Sequence, residues 1–144
     1  MRMKVLALLA SMVVLSTAVA LRASDPGPQK TSVDGTYTKA QADGAKAQFD
    51  KICAECHAFT VAAKKKAEDL PLGDEPFLKK WEGKPIDELV SVIVLTMPND
   101  GSAVVSEAEA LDLTAYILQQ NGMPPGASPL TKESAAALLA RPKK

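Results

Sequence analysis

An all-α fold is what this sequence predicts, and three observations lead there. Apolar residues recur at helical spacing behind helix-start signals at Thr38, Pro85 and Ser106. No internal repeat and no convincing pair of strands interrupts them. Aromatic residues make up only 4% of the 144-residue chain, one Trp, two Tyr and three Phe, which is little for the core of one domain. The helices are therefore expected to wrap around something other than side chains.

Composition narrows the function classes. Lys+Arg and Asp+Glu are both 17, so the chain lacks the basic excess of a nucleic-acid binder and no nucleic acid is expected among its partners. Two Cys and one His exclude a structural zinc site built from the usual four Cys/His ligands. They also leave no second imidazole to share a metal with the first.

The first 23 residues read as an export signal. Arg2 and Lys4 precede an apolar run from Val5 to Leu21, and small residues close it, with cleavage after Ala20 or, as a weaker match, Ala23. Retained, the run reaches the roughly 17–25 residues that an anchor needs, so a membrane-tethered form is the alternative. Cleavage removes basic residues and no acidic ones, which leaves a mildly acidic, exported chain, expected in the periplasm without a membrane span. Two Cys three apart in an oxidising compartment then need a reason to be there.

Each element follows in order. Residues 24–37, with Pro26, Gly27 and Pro28, read as a flexible leader. Thr38-Lys39-Ala40-Gln41 is a capping box that opens a helix to about Lys51, with Ala45, Phe49 and Ile52 on one face. From Phe59 to Pro76 there is no sustained period, and the stretch reads mainly as loop. Pro85 opens the next helix, where Ile86, Leu89, Val90, Ile93 and Val94 follow the 3.6 period. It must stop near Met97, because Pro98 disfavours helix at the residue before it. Ser106-Glu107-Ala108-Glu109 is a second capping box, and its helix runs to a C-cap at Asn121-Gly122. The predicted domain is thus 38–126. Residues 127–144 form an extension with a short, peripheral, alanine-rich helix over about Lys132 to Ala140.

The chemistry is concentrated in Cys53-Ala54-Glu55-Cys56-His57, the C-x-x-C-H pattern of c-type haem attachment. Residues i and i+3 share one side of a helical turn, so two thiols can reach the two vinyl groups on one porphyrin edge. The following imidazole can then bind iron from the proximal side. A thioredoxin-like pair would sit after a β-strand, and none precedes this one. Zinc would need further ligands, and a plain disulfide leaves the adjoining His unexplained.

With these residues in place the chain resembles the monohaem class I cytochromes c over roughly Thr38 to Gly126. That resemblance implies a cytochrome c fold, in which an N-terminal helix enters the haem motif and crosses a C-terminal helix. Phe49, Leu113 and Tyr116, the last two within Asp112-Leu113-Thr114-Ala115-Tyr116-Ile117, correspond to the crossing residues. The family's Gly eight residues before the first Cys is Ala45 here, with Gly44 beside it, so the helices are expected to lie slightly further apart or rotated.

The resemblance also implies a ligand set. One His excludes bis-His ligation within the chain, and Met1, Met3 and Met12 leave with the signal. Met97, in Thr96-Met97-Pro98, stands between two helices where the family places its iron-binding Met, whereas Met123 lies beyond the C-terminal helix. Haem c bound through Cys53 and Cys56, with His57 and Met97 on the iron, leaves no open coordination position and suits outer-sphere electron transfer. Pro71-Leu72 matches the segment whose carbonyl orients the His. Trp81 is the candidate donor to a haem propionate. Lys64, Lys65, Lys66, Lys79, Lys80 and Lys84 are either a basic docking rim or a solvated face.

The function expected is that of a monomeric periplasmic electron carrier rather than an enzyme. The alternatives are a haem enzyme or sensor with an open sixth position, and a tethered subunit of a larger oxidoreductase. Thr96-Met97-Pro98, Trp81-Glu82-Gly83 and Asn121-Gly122-Met123-Pro124 further resemble cytochromes that serve exported quinoprotein dehydrogenases. This implies such a dehydrogenase as electron donor and a terminal oxidase as the eventual acceptor.

Overall fold

A computed structural model describes residues 28–66 and 70–142; the signal segment lies outside them. Four α-helices run in the order α1 (Lys39–Ile52), α2 (Asp74–Trp81), α3 (Ile86–Thr96) and α4 (Glu107–Gln120) among the described residues. Short 3-10 turns occupy Ser32–Asp34, Val61–Ala63 and Ser134–Ala136. No β-strand forms among the described residues; two isolated bridges join Leu138 to Thr31 and to Pro85. The expected all-α architecture is therefore present among the described residues. None of the described helices is long and apolar enough to cross a membrane.

The N-terminal cap of α1 is half of the expected box. Thr38 Oγ1 accepts from the Gln41 backbone N–H at 3.2 Å. The Gln41 side chain does not return the bond; it reaches Asp112 Oδ1 at 2.8 Å and the Leu130 carbonyl at 3.0 Å. Its amide thereby ties α1 to α4 and to the chain beyond it. On α4 the box is complete, with Ser106 N–H donating to Glu109 Oε2 at 2.8 Å and Glu109 N–H to Ser106 Oγ at 3.3 Å.

Helix α1 packs chiefly on α4. Ala42, Ala45 and Phe49 are buried on one, Leu113 and Tyr116 on one face of the other, and the Phe49 and Tyr116 rings meet at 5.1 Å. Ala45 is the residue in contact, 4% exposed, while a Cβ on Gly44 would meet nothing within 4 Å. The small residue at the crossing is thus Ala45. The α3 stripe holds, with Ile86, Leu89, Val90 and Ile93 buried and Val94 half-buried. Pro85 caps this helix from outside, with ψ 143°, one position earlier than expected.

Three expectations need correction. The stretch from Phe59 to Pro76 is not all loop, because α2 begins at Asp74. Two acidic residues in its first turn and two lysines in its last complement the helix dipole, and Pro76 falls in the first turn, where no helical N–H is required. Phe77 and Trp81, one turn apart, give it a buried edge too short to register as a period.

The segment before α1 is not a detached leader over its described part. Ser32 and Tyr37 are fully buried, and the Tyr37 hydroxyl donates to the Met123 carbonyl at 2.6 Å. Gly126 crosses Gly35 so closely that a Cβ on it would lie 2.0 Å from the Gly35 carbonyl oxygen.

The C-terminal extension is neither helical nor peripheral. After one 3-10 turn it runs extended, and Ala135, Ala137 and Leu139 alternate inward at 1%, 4% and 1% exposure. Its backbone bonds Lys30 and Ser32 on one side and Gly83, Lys84 and Ile86 on the other. Arg141 closes it with a two-pronged bond to Glu75 (2.7 and 2.9 Å) and one to Glu82 at 2.7 Å. Burial of every second side chain outweighs the helical preference of alanine.

Candidate functional site

Helix α1 unwinds at Cys53, and the next turn presents the reactive side chains together. The Cys53 carbonyl accepts from the N–H of both Cys56 (3.1 Å) and His57 (2.9 Å), which folds the five residues into one turn. Both thiols are free; Cys53 is half-buried and Cys56 exposed. Burial pushes the Cys53 thiol up to about 11, so it stays protonated at neutral pH. Redox-active C-x-x-C pairs depend on the opposite shift.

His57 is oriented by a carbonyl. Its Nδ1 lies 3.2 Å from the Leu70 carbonyl oxygen, which can only accept, so Nδ1 carries the proton and Nε2 keeps its lone pair for a metal. The expected Pro71-Leu72 segment is at this spot, but the bond comes from the residue before it. Pro71 is buried and supplies rigidity rather than the acceptor.

This loop is laid against the haem motif. Leu72 N–H donates to the Ala58 carbonyl at 2.8 Å, and a Cβ on Gly73 would lie 2.1 Å from the Phe59 oxygen. Phe59 stacks on Phe49 with ring centroids 5.0 Å apart, and Tyr116 meets both rings at 5.1 and 5.7 Å. Three of the chain's six aromatic rings thus join the motif to the α1–α4 crossing. Asn121, at the end of α4, donates from Nδ2 to the Leu72 carbonyl at 2.7 Å.

The remaining candidates lie elsewhere. Met97 caps α3 in extended conformation and, half-buried, lines an open groove of about 440 Å³ with Val94, Leu95, Pro98 and Val104. Met123, 2% exposed, belongs to the core. Trp81 is buried on α2 against Phe77, with Lys80 and Lys84 ammonium groups 5.2 and 5.5 Å from its ring centroid. Lys65 donates to the Ala54 carbonyl at 2.9 Å, so one member of the lysine run serves the motif's own backbone.

The residues fit a haem. Val61, Leu70, Leu95 and Val104 are the exposed large apolar side chains among the described residues, from 51% to 95% exposed. Val61 and Leu70 stand near His57 in the chain, and Leu95 and Val104 line the groove with Met97, so each side offers the apolar surface that a haem would need. Leu70, Phe59 and Asn121 went unrecognised as site residues. Leu70 adjoins the suspected Pro71, but Phe59 read as the start of a loop and Asn121 as a helix cap.

A C-x-x-C-H turn at the end of the first helix of an all-α frame is the build of a c-type cytochrome. Residues 40–117 match the family described as "Cytochrome C oxidase, cbb3-type, subunit III", and the chain belongs to it. Haem c, covalently bound, is accordingly its cofactor, and haem-based electron transfer with redox partners is its function. No curated protein and no solved structure matches the chain. The matched span takes in α1 through most of α4; the buried N-terminal segment and the C-terminal strap lie outside it.

Proposed function

We propose that the protein is a monomeric periplasmic electron carrier, freed from its signal by cleavage after residue 20 or 23. Cys53 and Cys56 hold the haem through thioethers, and His57 and Met97 bind the iron. The observation that carries this reading is the His57 Nδ1–H bond to the Leu70 carbonyl, which fixes the ring and leaves Nε2 for the iron. Haem supplies the one-electron Fe(II)/Fe(III) couple. The chain's own residues would hold it and limit its exposure to water, and the Trp81 indole N–H would be the donor to a propionate. With His57 and Met97 both holding the iron, no position would remain for oxygen or peroxide, which would separate a carrier from an enzyme.

The donor proposed is an exported quinoprotein dehydrogenase and the eventual acceptor a terminal oxidase, with docking that is weak and brief, as turnover requires. The test is to mix oxidised protein with a reduced quinoprotein dehydrogenase from the same source and follow haem reduction. Reduction no faster than with an unrelated exported flavoprotein would remove this donor.

A second reading is favoured by the family description, which names an oxidase subunit. In it residues 1–23 remain and tether the cytochrome to a larger oxidoreductase. The mass of the purified protein separates the two, since only the carrier lacks the signal segment.

A further inference from the structure

We infer that Asn121 is a positioning residue for the His57 imidazole, acting through Leu72 and Pro71 on the Leu70 carbonyl. This deepens the proposed function and rests on His57 as an iron ligand.

Leu72 is held at both of its backbone polar groups. Its N–H donates to the Ala58 carbonyl at 2.8 Å, and its carbonyl accepts from Asn121 Nδ2 at 2.7 Å. The first bond ties the loop to the haem motif; the second ties it to the end of α4. Between this clamped residue and the Leu70 carbonyl stands only Pro71, whose ring fixes φ. Fixing Leu72 therefore fixes, through one stiff unit, the oxygen that receives the His57 proton at 3.2 Å. Gly73 completes the seat, because its backbone approaches the Phe59 oxygen more closely than any Cβ would allow.

The same amide nitrogen also donates to the Ile117 carbonyl at 2.8 Å. Both Asn121 N–H bonds are thus used, one inside the helix and one across to the loop. A helix cap needs only the first. The second places the loop, and through it the ring, in register with the α1–α4 frame. A hydrogen bond from Nδ1 raises the basicity of a ligating imidazole and stabilises Fe(III). Loosening it shifts the couple toward Fe(II).

The test compares haem-loaded Asn121→Ala and the nearly isosteric Asn121→Asp with Gln48→Ala. The last removes a cross-helix bond of 2.9 Å, to Glu109, remote from the loop. Midpoint potential, the hyperfine-shifted His57 ring protons of the ferric protein and thermal unfolding are measured for each. Both Asn121 variants are expected to move the His57 signals and to favour Fe(II) by up to about tenfold, the lower edge for loss of an outer-shell partner. A tenfold change is about 59 mV for one electron. Gln48→Ala is expected to lose stability alone. Asn121 variants with lowered unfolding temperature but wild-type potential and His57 signals would reduce the residue to a cap and overturn the inference. So would failure of both to retain haem where Gln48→Ala retains it, since that marks a general folding role. Absence of any hyperfine shift at His57 in the wild type would instead bring down the ligand assignment, and the inference with it.

Discussion

Exchanging the roles of two methionines is the sharpest trial of the proposed ligation. Met97 is half-buried in an open groove at the end of α3, and Met123 is 2% exposed in the core. Truncating a buried Met to Ala costs about 2–5 kcal/mol. In a domain of this size each kcal/mol lowers Tm by about 4 °C, so Met123→Ala should unfold about 8–20 °C lower. The bond from Tyr37 to the Met123 carbonyl uses the main chain and survives the change. Its haem spectrum and potential should match the wild type. Met97→Ala removes less packing but, in the proposed ligation, would deprive the iron of its thioether, lower the potential and open a ligand position. The assay is the absorption spectrum of the oxidised protein, where sulfur-to-iron charge transfer gives a weak long-wavelength band, together with cyanide and carbon monoxide binding. Met97→Ala should lose the band and bind both ligands readily. A Met123→Ala variant that loses the band while Met97→Ala keeps it would refute the assignment. If the wild type itself has no such band and binds carbon monoxide, the sixth position is open and the enzyme or sensor reading takes over.

Two further outcomes follow from the same geometry. Cys56→Ala should lose most of its acid-acetone-resistant haem and much of its fold, which extraction and circular dichroism would show together; haem extracted freely from the wild type would contradict covalent attachment through these residues. Leu139→Ala, at a position 1% exposed on the C-terminal strap, should cost about 2–5 kcal/mol in chemical denaturation and leave the visible spectrum in place, whereas a cost near zero would restore the strap to a peripheral role.

The sequence is legible where one periodicity or one motif decides the matter. Stripes and caps located α1, α3 and α4 to within a residue or two, and the C-x-x-C-H turn identified the cofactor by itself. What escaped was set by contacts distant in the chain. Ala135, Ala137 and Leu139 read as helix because alanine favours helix locally, while their alternate burial depends on partners near residues 30 and 84. Helix α2 was missed because two buried rings one turn apart make no period. Asn121-Gly122 announces a helix end, and nothing local shows that its amide also reaches a loop 49 residues earlier in the chain. The proximal acceptor was placed one residue late, because proline marks the stiff unit and not the carbonyl in use.

The two sides of the proposed haem site are built differently. On the His57 side the chain closes on itself: the loop is joined to the motif by Leu72 and Gly73, to α4 by Asn121, and to the helix crossing by Phe59. The segment carrying Met97 is tied more sparsely, its one fully buried side chain being Val105, 3% exposed, just before α4. Residues 97–105 bond to the end of α3 through Met97 N–H, and within themselves through Gly101 and Ser102. Their side chains form no hydrogen bond to another element among the described residues. Leu95 and Val104 stand 78% and 95% exposed at its edges. A segment with few buried contacts and only local hydrogen bonds opens at low cost. In the proposed ligation the polypeptide itself would orient His57 through the Leu70 carbonyl, while Met97 would be held by fewer ties of the chain's own. Substitution at Met97 should accordingly change ligand access and potential at small cost to the helical frame. Substitution in the proximal loop should disturb the frame and the iron together.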